Sequence, residues 1–519
     1  MENQEKKNCL TRRNFVKSAG SLALLSGLAS AGILAASKEA NAAIPRKWNR
    51  TADIIIVGAG GAGLAAAISS AEAGAKVLVV EKAPSVLFST SAICGGGVSA
   101  AETKIQKDLG QQDSKELFYK EMLKAGDYKN DPELVRLYVD NAADTVNWFY
   151  ARGMKFFLRG YPGFSVNRQH SNMDAIGREY IDIMVSEIDK LKVPIVFESP
   201  VTRLVTNCDT GEVLGVEVVQ KGKKVYFKAK KAVILTSGGY AGIKEMIDRF
   251  LIPFKGAITC ASPTTTGDGF LMATKIGATT TALGYGAVYA YGLVTDATKR
   301  RGVVNRAYEM AATFGAITVN KEGKRFVREE TTPTGVALKL VNEPDSTLFV
   351  IGDKQMFDGW LQSKMPGVIG WTHKMVQKEA QEQKYFIFSA DTLDELAKKI
   401  GINGENLKKT IEKYNGYVAA GSDPEFDRAK ANLRKKIETG PFYAMSGQPI
   451  ALATTGGLKI NTELRVLDPY LTPIPRLYAA GEIIGGIHGQ QYLGGCGFCS
   501  AMTFGRLVGR IAVKEKNQG

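Results

Sequence analysis

Histidine, tryptophan and cysteine are scarce in this chain of 519 residues, which contains three, four and six of them. So few histidines argue against a His-based metal site, and no metal is predicted. The cysteines suggest no disulfide framework. The only Cys-x-x-Cys, Cys496 to Cys499, lacks both a second pair and the following histidine needed for covalent haem attachment. Basic runs interleaved with aromatic residues are also missing, which excludes nucleic acid as a partner.

The remaining composition is that of a globular protein, with 45% hydrophobic and 23% charged residues, long enough for two domains with cores. The formal net charge is +15. A positive surface could attract an acidic redox partner or anionic lipid headgroups. The alternative is that the charge only keeps the protein soluble.

The first 42 residues differ from the rest. Arg12 and Arg13 form a twin-arginine pair, residues 22–36 are apolar, and Ala40-Asn41-Ala42 is a small-x-small cleavage pattern. We expect residues 1–42 to be a twin-arginine (Tat) signal peptide and the mature protein to be periplasmic. The alternative is a membrane anchor, which the short stretch rich in Gly, Ala and Ser disfavours.

Residues 52–83, ADIIIVGAGGAGLAAAISSAEAGAKVLVVEKA, predict a strand, a helix and a second strand. Gly58, Gly60 and Gly63 form a G-x-G-x-x-G turn, which lets a pyrophosphate approach the unpaired N–H groups of a helix N-terminus. Glu81 follows about 20 residues later, where a carboxylate accepts hydrogen bonds from ribose hydroxyls. The segment therefore predicts a dinucleotide-binding site.

Two later segments favour FAD over NAD. Residues 230–242 and 475–489 each predict a strand that ends in glycines, and a last helix from about Phe498 would stabilise a reduced, anionic flavin at its N-terminus. The predicted fold is α/β. A Rossmann-like FAD-binding domain, formed by residues 50–275 and 446–519, carries an inserted α+β cap domain at residues 276–445.

Several motifs occur in a specific order: VGAGGAGLAAA, CGGGVSAA, AVILTSGG, TTGDGF, GAITVNKEGKRFV, TTGGLKIN, LYAAGE and MTFGRLVGR. With them the mature chain resembles the flavoproteins of the fumarate reductase/succinate dehydrogenase superfamily. It is most similar to the Tat-exported fumarate-reductase-like flavoproteins and the 3-ketosteroid dehydrogenases. The resemblance implies FAD under a cap domain and a reaction that reduces or forms a C=C bond next to a carbonyl. Because no histidine lies in the early segment where some relatives attach the flavin, non-covalent FAD is expected.

The motifs also imply which residues contact the cofactor. These are Gly58, Gly60, Gly61, Ala62, Gly63, Glu81, Lys82, Ser89, Ser91, Gly96, Gly97, Val201, Thr236, Ser237, Gly238, Asp268, Glu482, His488, Gly497 and Phe498.

For the chemistry, the resemblance implies hydride transfer from flavin N5 to one alkene carbon and protonation of the other. The arginine of the family's GKRF segment, which would supply the proton, falls on Arg325, and its relay acid falls on Glu309. The second relay arginine falls on Ala312, a departure from the pattern. The alternative for Arg325 is an ion pair with Glu329 or Glu330.

The family's arginine clamp for a substrate carboxylate falls on Tyr492, and a clamp histidine falls on Ala453. Phenols cannot neutralise an anion, so the sequence argues against fumarate and predicts a neutral carbonyl substrate. Tyr492 and the backbone N–H of Cys496 would stabilise its developing oxyanion. Tyr289, Tyr291 and Tyr308 would wall the substrate site, with ordinary packing as the alternative.

The sequence thus predicts an exported FAD-dependent ene-reductase in anaerobic respiration. Its electrons would come from a separate donor, such as a multihaem c-type cytochrome or a quinol-linked carrier. Three alternatives stay open: a 3-ketosteroid-type dehydrogenase, a fumarate or unsaturated-carboxylate reductase, and a non-catalytic flavin electron carrier.

Overall fold

The computed structural model describes residues 44–173, 176–363, 367–369 and 371–516. The expected signal peptide, residues 1–42, lies outside this range. Within the described part of the chain, none of the helices combines the length and the apolar character needed to cross a bilayer.

The strands are listed in chain order: β1 (Arg50–Val57), β2 (Val77–Val80), β3 (Val98–Ser99), β4 (Phe156–Arg159), β5 (Gln169–Asn172), β6 (Ile195–Val196), β7 (Val201–Thr206), β8 (Val213–Gln220), β9 (Lys223–Leu235), β10 (Ile258–Thr259), β11 (Thr280–Thr281), β12 (Gly286–Asp296), β13 (Arg301–Val304), β14 (Ile317–Asn320), β15 (Leu348–Asp353), β16 (Ile387–Ala390), β17 (Phe442–Thr454), β18 (Gly457–Leu458), β19 (Arg465–Leu467) and β20 (Pro473–Ala479).

The α-helices follow in the same order: α1 (Gly61–Glu72), α2 (Thr90–Ile93), α3 (Lys104–Asp108), α4 (Lys115–Ala125), α5 (Pro132–Tyr150), α6 (Arg178–Lys190), α7 (Lys244–Phe250), α8 (Asp268–Lys275), α9 (Ala307–Phe314), α10 (Pro333–Leu340), α11 (Lys354–Leu361), α12 (His373–Glu382), α13 (Leu393–Ile400), α14 (Gly404–Ala420) and α15 (Cys496–Ala512).

The first sheet has the order β19-β20-β9-β1-β2-β6, with the hairpin β7–β8 paired to β9. Strand β1 runs parallel to both β2 and β9, so Val57 lies opposite Val80 and Leu235. Their paired carboxyl-terminal parts, residues 54–57, 77–80 and 232–235, are continuous apolar runs, as expected for a parallel sheet covered on both faces. Their carboxyl ends therefore lie at one edge, where ligands bind in open parallel sheets.

Helices α1 and α15 pack closely against each other on this sheet. A Cβ atom at Gly505 would lie 2.3 Å from the carbonyl oxygen of Ala62, and one at Gly509 would lie 2.5 Å from that of Ala66. Only glycine allows such an approach. The close contact fixes the C-terminal helix beside the glycine-rich turn at the start of α1.

The second sheet has the order β10-β13-β12-β17-β15-β14, with β16 also paired to β17. Its buried side chains form a hydrophobic core separate from that of the first sheet. The predicted fold, an FAD-binding domain of Rossmann type with an inserted α+β cap, is confirmed. The expected boundary at residue 445 falls inside β17, and β10 joins the second sheet although it precedes residue 276.

A small sheet, β3-β5-β4, places Arg159 opposite Gln169. Helix α9 starts directly after Arg306 and ends at Phe314; the next residue, Gly315, has a left-handed φ of +95°. Both elements contribute side chains to the cavity described next.

Candidate active site

A cavity of about 270 Å³ lies at the carboxyl edge of the first sheet and is also lined by residues of the second sheet. All of the cofactor residues expected from the sequence line it except Gly63. A Cβ atom at Gly63 would lie only 1.9 Å from the carbonyl oxygen of Gly58. Gly63 therefore allows the tight turn without contributing to the cavity wall. Gly58 itself has φ +105°, a conformation that favours glycine.

Glu81 is held at the end of β2 by two backbone donors. Its carboxylate oxygens accept hydrogen bonds from the N–H of Ala59 at 2.7 Å and of Ala83 at 2.8 Å. At the start of α1, the hydroxyl of Ser91 accepts from the N–H of Gly61 at 3.0 Å. The acid predicted to meet a ribose thus lies beside the glycine-rich turn.

The same end of the cavity carries further polar groups. Lys82 pairs with Asp268 at 2.6 Å between Nζ and Oδ2. The hydroxyl of Ser237 lines the cavity, is buried, and has no hydrogen-bond partner among the described residues. A dinucleotide fits this end, because the glycines leave it room, the helix N-terminus faces its phosphates, and unsatisfied polar atoms are available to it.

Tyr492 also lines the cavity, and its hydroxyl accepts a hydrogen bond from the N–H of Gly497 in the first turn of α15, at 3.2 Å. Cys496, whose backbone N–H was predicted to stabilise the substrate oxyanion together with Tyr492, does not face the cavity. Its side chain is fully buried and absent from the cavity wall, and its N–H donates to the carbonyl of Leu493 at 3.2 Å. That N–H is therefore used by the turn, which corrects its assignment as an oxyanion donor.

Phenols surround the end of the cavity away from the glycine-rich turn. They belong to Tyr161, Tyr289, Tyr308 and Tyr492. The hydroxyl of Tyr161 donates to that of Tyr289 at 2.6 Å. Burial raises the pKa of the Tyr308 hydroxyl to about 12.

Tyr291 departs from the prediction. Although it lies two residues from Tyr289 on β12, it does not line the cavity, and its hydroxyl is buried in the core of the second sheet. Its assignment as a substrate contact is therefore corrected to core packing.

Two guanidinium groups, those of Arg159 and Arg306, line the same end as the phenols. Arg159, at the end of β4, pairs with Glu309 of α9 at 3.0 Å between Nη1 and Oε1. Burial, together with the nearby Arg159, lowers the pKa of Arg306 from its ordinary value, while Tyr308 and Glu309 oppose the shift. The expectation of a pocket lined only by neutral hydroxyls is therefore corrected. Neither of these arginines, nor Tyr161, was predicted from the sequence.

Glu309 stands behind Arg159 and is not itself part of the cavity wall. Arg325 lies elsewhere. Its Nε and Nη2 donate to the carboxylate of Glu329 at 2.9 and 2.8 Å, and Nη2 also donates to Asp423 at 2.8 Å. The side chain of Arg325 is 2% exposed and does not line the cavity. Its assignment as the proton donor is therefore corrected to that of a buried ion pair, the alternative considered from the sequence.

Two further titratable groups line the cavity. Burial lowers the pKa of His488 to about 4, so this side chain is neutral at physiological pH. The centre of its ring lies 5.2 Å from that of Tyr492. Burial raises the pKa of Glu482 to about 7, and its carboxylate accepts from the N–H of Thr454 at 2.9 Å. His170 lies outside the cavity wall, with its Nε2 at 2.8 Å from the hydroxyl of Thr103.

A sequence signal for the missed residues exists. Arg159-Gly160-Tyr161 and Arg306-Ala307-Tyr308 are both Arg-x-Tyr, and each brings its arginine and its tyrosine to the cavity wall. Either tripeptide alone is too short to predict a site.

Comparison with known proteins agrees with this geometry. The sequence model of the family described as FAD binding domain matches residues 53–498. The chain belongs to this family of FAD-binding oxidoreductases, within the fumarate reductase/succinate dehydrogenase superfamily, and its cofactor is FAD.

Three curated relatives span different shares of this chain and of their own length. The chain is 34% identical over 94% of its length to an NADH:fumarate oxidoreductase of Klebsiella pneumoniae, of which it covers only 50%. It is 35% identical over 90% of its length to a probable fumarate reductase of Shewanella frigidimarina, covering 76% of that protein. It is 28% identical over 98% of its length to an acrylate reductase flavoprotein subunit of Shewanella woodyi, covering 99%.

Two solved structures share the fold. The open conformation of a flavocytochrome c3 fumarate reductase has a TM-score of 0.72 and 32% identity, covering 94% of this chain and 81% of that one. A 3-ketosteroid-delta4-(5alpha)-dehydrogenase from Rhodococcus jostii has a TM-score of 0.75 and 25% identity, covering 91% and 98%.

Proposed function

We propose that the protein is an FAD-dependent ene-reductase that reduces a C=C bond conjugated to a carboxylate. The observation that carries this proposal is the lining of one cavity. One end of the cavity has the glycine-rich turn and Glu81. The other end has the guanidinium groups of Arg159 and Arg306, with tyrosine hydroxyls around them. Relatives named for reduction of fumarate and of acrylate support the same class of reaction.

The arginines favour a carboxylate over the neutral ketone expected from Tyr492. A guanidinium binds a carboxylate through two parallel, charge-assisted hydrogen bonds, and it does so most strongly where water is excluded. A ketone offers these guanidinium groups only a neutral oxygen, which makes a weaker hydrogen bond with them than a carboxylate does. The phenols remain useful, because they can donate to the substrate carbonyl group and pack against an apolar substituent.

Bound FAD, once reduced by the electron donor, would supply the hydride for the β-carbon of the alkene. The roles of the chain's own residues follow from their positions. Arg159 and Arg306 hold the carboxylate, and the phenols exclude water from the apolar part of the substrate. We place the proton for the α-carbon on the hydroxyl of Tyr308, in place of Arg325, because Tyr308 lines the cavity beside Arg159. The phenol regains its proton from solvent after turnover.

A matched pair of acceptors tests the substrate class. Protein whose flavin has been reduced under anaerobic conditions is mixed with cinnamate or with benzalacetone, which differ in a carboxylate versus a methyl ketone. We expect cinnamate to reoxidise the flavin faster, and Arg306→Gln to reduce that rate by about 10- to 100-fold, the loss of one charge-assisted hydrogen-bond pair. Arg178→Gln, an exposed arginine on α6, is the control. If benzalacetone reoxidises the flavin of the wild type faster than cinnamate does, the proposal of a carboxylate substrate is rejected.

The second candidate is dehydrogenation of a ketone, as the name of the 3-ketosteroid dehydrogenase suggests for that neighbour. The hydrogen-bonded pair of Tyr161 and Tyr289 favours it. A substrate proton could be accepted only by a phenolate; burial raises the pKa of Tyr289, but the hydrogen bond from Tyr161 acts in the opposite direction and favours that form. Reduction of oxidised flavin by saturated ketones would support this candidate. If no alkene and no ketone changes the flavin spectrum, the protein is a flavin electron carrier.

We further propose that the protein is exported to the periplasm and takes electrons from a separate carrier, a multihaem c-type cytochrome or a quinol-linked protein, in anaerobic respiration. The twin arginines support export, and the subunit name of the Shewanella woodyi relative supports a separate donor. Replacing Arg12 and Arg13 with lysine should retain the protein in the cytoplasm, as measured by cell fractionation. An unchanged periplasmic fraction would reject this route.

A further inference from the structure

A glutamine of the cavity wall, Gln169, holds the side chain of Arg159. Gln169 is 2% exposed, lines the cavity and lies directly opposite Arg159 on the β4–β5 ladder. Residues opposed in this way place their side chains about 5 Å apart on the same face of a sheet. The Nε of Arg159 donates a hydrogen bond to the Oε1 of Gln169. Because an arginine can only donate, the carboxamide turns its oxygen towards the guanidinium and its nitrogen away from it.

The nitrogen side of this carboxamide packs against two glycines. A Cβ atom at Gly97 would lie 2.9 Å from the Nε2 of Gln169, and one at Gly495 would lie at the same distance from it. Both glycines line the cavity, and Gly495 directly precedes α15. The carboxamide is therefore confined on the side away from the guanidinium and has little room in which to turn.

The strand that carries Gln169 is anchored on its opposite face, because neighbouring residues of a strand point to opposite faces. Arg168, whose side chain is fully buried, donates to both carboxylate oxygens of Asp113 at 2.9 and 2.6 Å. The Nε2 of His170 lies 2.8 Å from the hydroxyl of Thr103. Buried polar contacts before and after Gln169 in the chain thus fix the backbone from which its side chain projects.

Two acceptors consequently hold the guanidinium group of Arg159. Gln169 accepts from Nε, and Glu309 accepts from Nη1 at 3.0 Å. A long side chain that samples several rotamers must be ordered when a ligand binds, and that ordering weakens binding. Since the two bonds involve different nitrogens of one planar group, they fix its plane before the substrate enters.

We propose that Gln169 is a positioning residue that presents Arg159 to the substrate carboxylate. This inference rests on the proposed function, in which Arg159 and Arg306 hold that carboxylate. Loss of the positioning role should weaken the binding of a carboxylate substrate and leave a neutral substrate unaffected. A role of Gln169 in packing the cofactor end of the cavity would instead affect both.

Cinnamate and benzalacetone separate these roles, because only cinnamate has a carboxylate. Gln169→Met keeps the length of the side chain but removes the acceptor oxygen. In this holoenzyme we expect KM for cinnamate to rise by about three- to tenfold, the cost of ordering one long side chain. We expect kcat to change by less than about twofold, because an interaction made equally in the ground state and the transition state is lost. KM for benzalacetone should stay within about twofold of the wild type.

A double-mutant cycle shows whether Gln169 acts through Arg159. In an Arg159→Gln background, Gln169→Met should change KM for cinnamate by less than about twofold, because the guanidinium that it positions is gone. Additive losses would overturn the inference, as would an equal rise of KM for both acceptors in the single variant.

A second substitution covers the case in which the methionine variant loses flavin. Gln169→Asn withdraws the amide by one carbon, and we expect the same rise of KM for cinnamate alone. Loss of flavin in both variants would overturn the inference in favour of a role in cofactor binding. The control is Gln355→Met on α11. Gln355 is exposed, lies outside the cavity wall and accepts from the Nζ of Lys435 at 3.2 Å, so both KM values should stay unchanged.

A binding measurement separates this inference from the proposed function. The spectral shift of the oxidised flavin gives a Kd for each compound without turnover. If neither compound reoxidises the reduced flavin, but Gln169→Met weakens the binding of cinnamate alone and does so only when Arg159 is present, the ene-reductase proposal fails and the positioning role stands. If cinnamate is reduced and Gln169→Met leaves its KM and Kd unchanged, the positioning role fails and the reductase stands.

Discussion

Arg325 and Glu329 form a two-point ion pair in the interior of the second domain, with both side chains shielded from solvent. Asp423 accepts a further hydrogen bond from the same guanidinium, and Arg428 lies 3.5 Å from Glu329. Arg428 in turn donates to the carbonyl oxygens of Ala311 and Ala316, around the C-terminal end of α9. These four charged groups therefore support the helix that presents Tyr308 to the cavity.

We expect Arg325→Ala to destabilise the protein by about 3–5 kcal/mol, because it removes the guanidinium that forms the hydrogen-bonded ion pairs with two buried carboxylates, Glu329 and Asp423. Chemical denaturation monitored by circular dichroism measures the loss. For the fraction that remains folded, kcat should stay within about tenfold of the wild type. A fall of kcat by several orders of magnitude without loss of stability would return Arg325 to the role of proton donor.

Gly63→Ala should prevent the binding of FAD, because its methyl group would collide with the carbonyl oxygen of Gly58 and displace the turn. The flavin content of the purified protein, read from its visible absorbance, checks this. Gly416→Ala is the matched control. That glycine lies on α14 with no other atom within 4 Å of the added Cβ, so we expect normal flavin content and stability gained by up to about 1 kcal/mol.

Tyr492→Phe removes the hydroxyl that accepts the N–H of Gly497. This bond uses the hydroxyl only as an acceptor. Because the proposed function assigns the substrate carboxylate to Arg159 and Arg306, we expect kcat to fall by less than about tenfold and the stability to fall by about 1 kcal/mol. Stopped-flow reoxidation of the reduced flavin measures the first quantity. A loss of about 100- to 1,000-fold would instead identify Tyr492 as a donor to the developing oxyanion.

Glu482 should make stability depend on pH. Burial raises its pKa from 4.5 to about 7, so between these values the folded protein keeps a proton that the unfolded chain releases. Its contribution is complete below pH 4.5 and is lost as the pH rises to about 7. In flavin-depleted protein we expect wild type to lose about 1–3 kcal/mol relative to Glu482→Gln across this range. Parallel profiles for the two proteins would contradict the shifted pKa.

The nucleotide end of the cavity could be predicted from the sequence because its parts are close along the chain. The strand β1, the turn at Gly58 and the acid Glu81 belong to one βαβ unit, and local hydrophobic pattern and glycine spacing specify it. The structure changed only the position of Gly63, which supports the turn without lining the cavity.

The substrate end could not be predicted in the same way. Arg159 and Glu309 are 150 residues apart, and only the packing of the two domains brings them together. Single-sequence patterns do not report such long-range contacts. Arg325 was misplaced for a related reason, because a motif gives a residue's neighbours in sequence but not the direction of its side chain.

Ala287 on β12 and Ala453 on β17 lie directly opposite each other in the second sheet, and both line the cavity. Because they are cross-strand neighbours that both face the cavity, a bulkier side chain at either position would occupy cavity volume. In the proposed reductase, these two methyl groups would limit the size of the alkene substituent that the cavity accepts. Replacing Ala287 or Ala453 with valine or leucine would exclude the larger alkene substrates without changing any charged group.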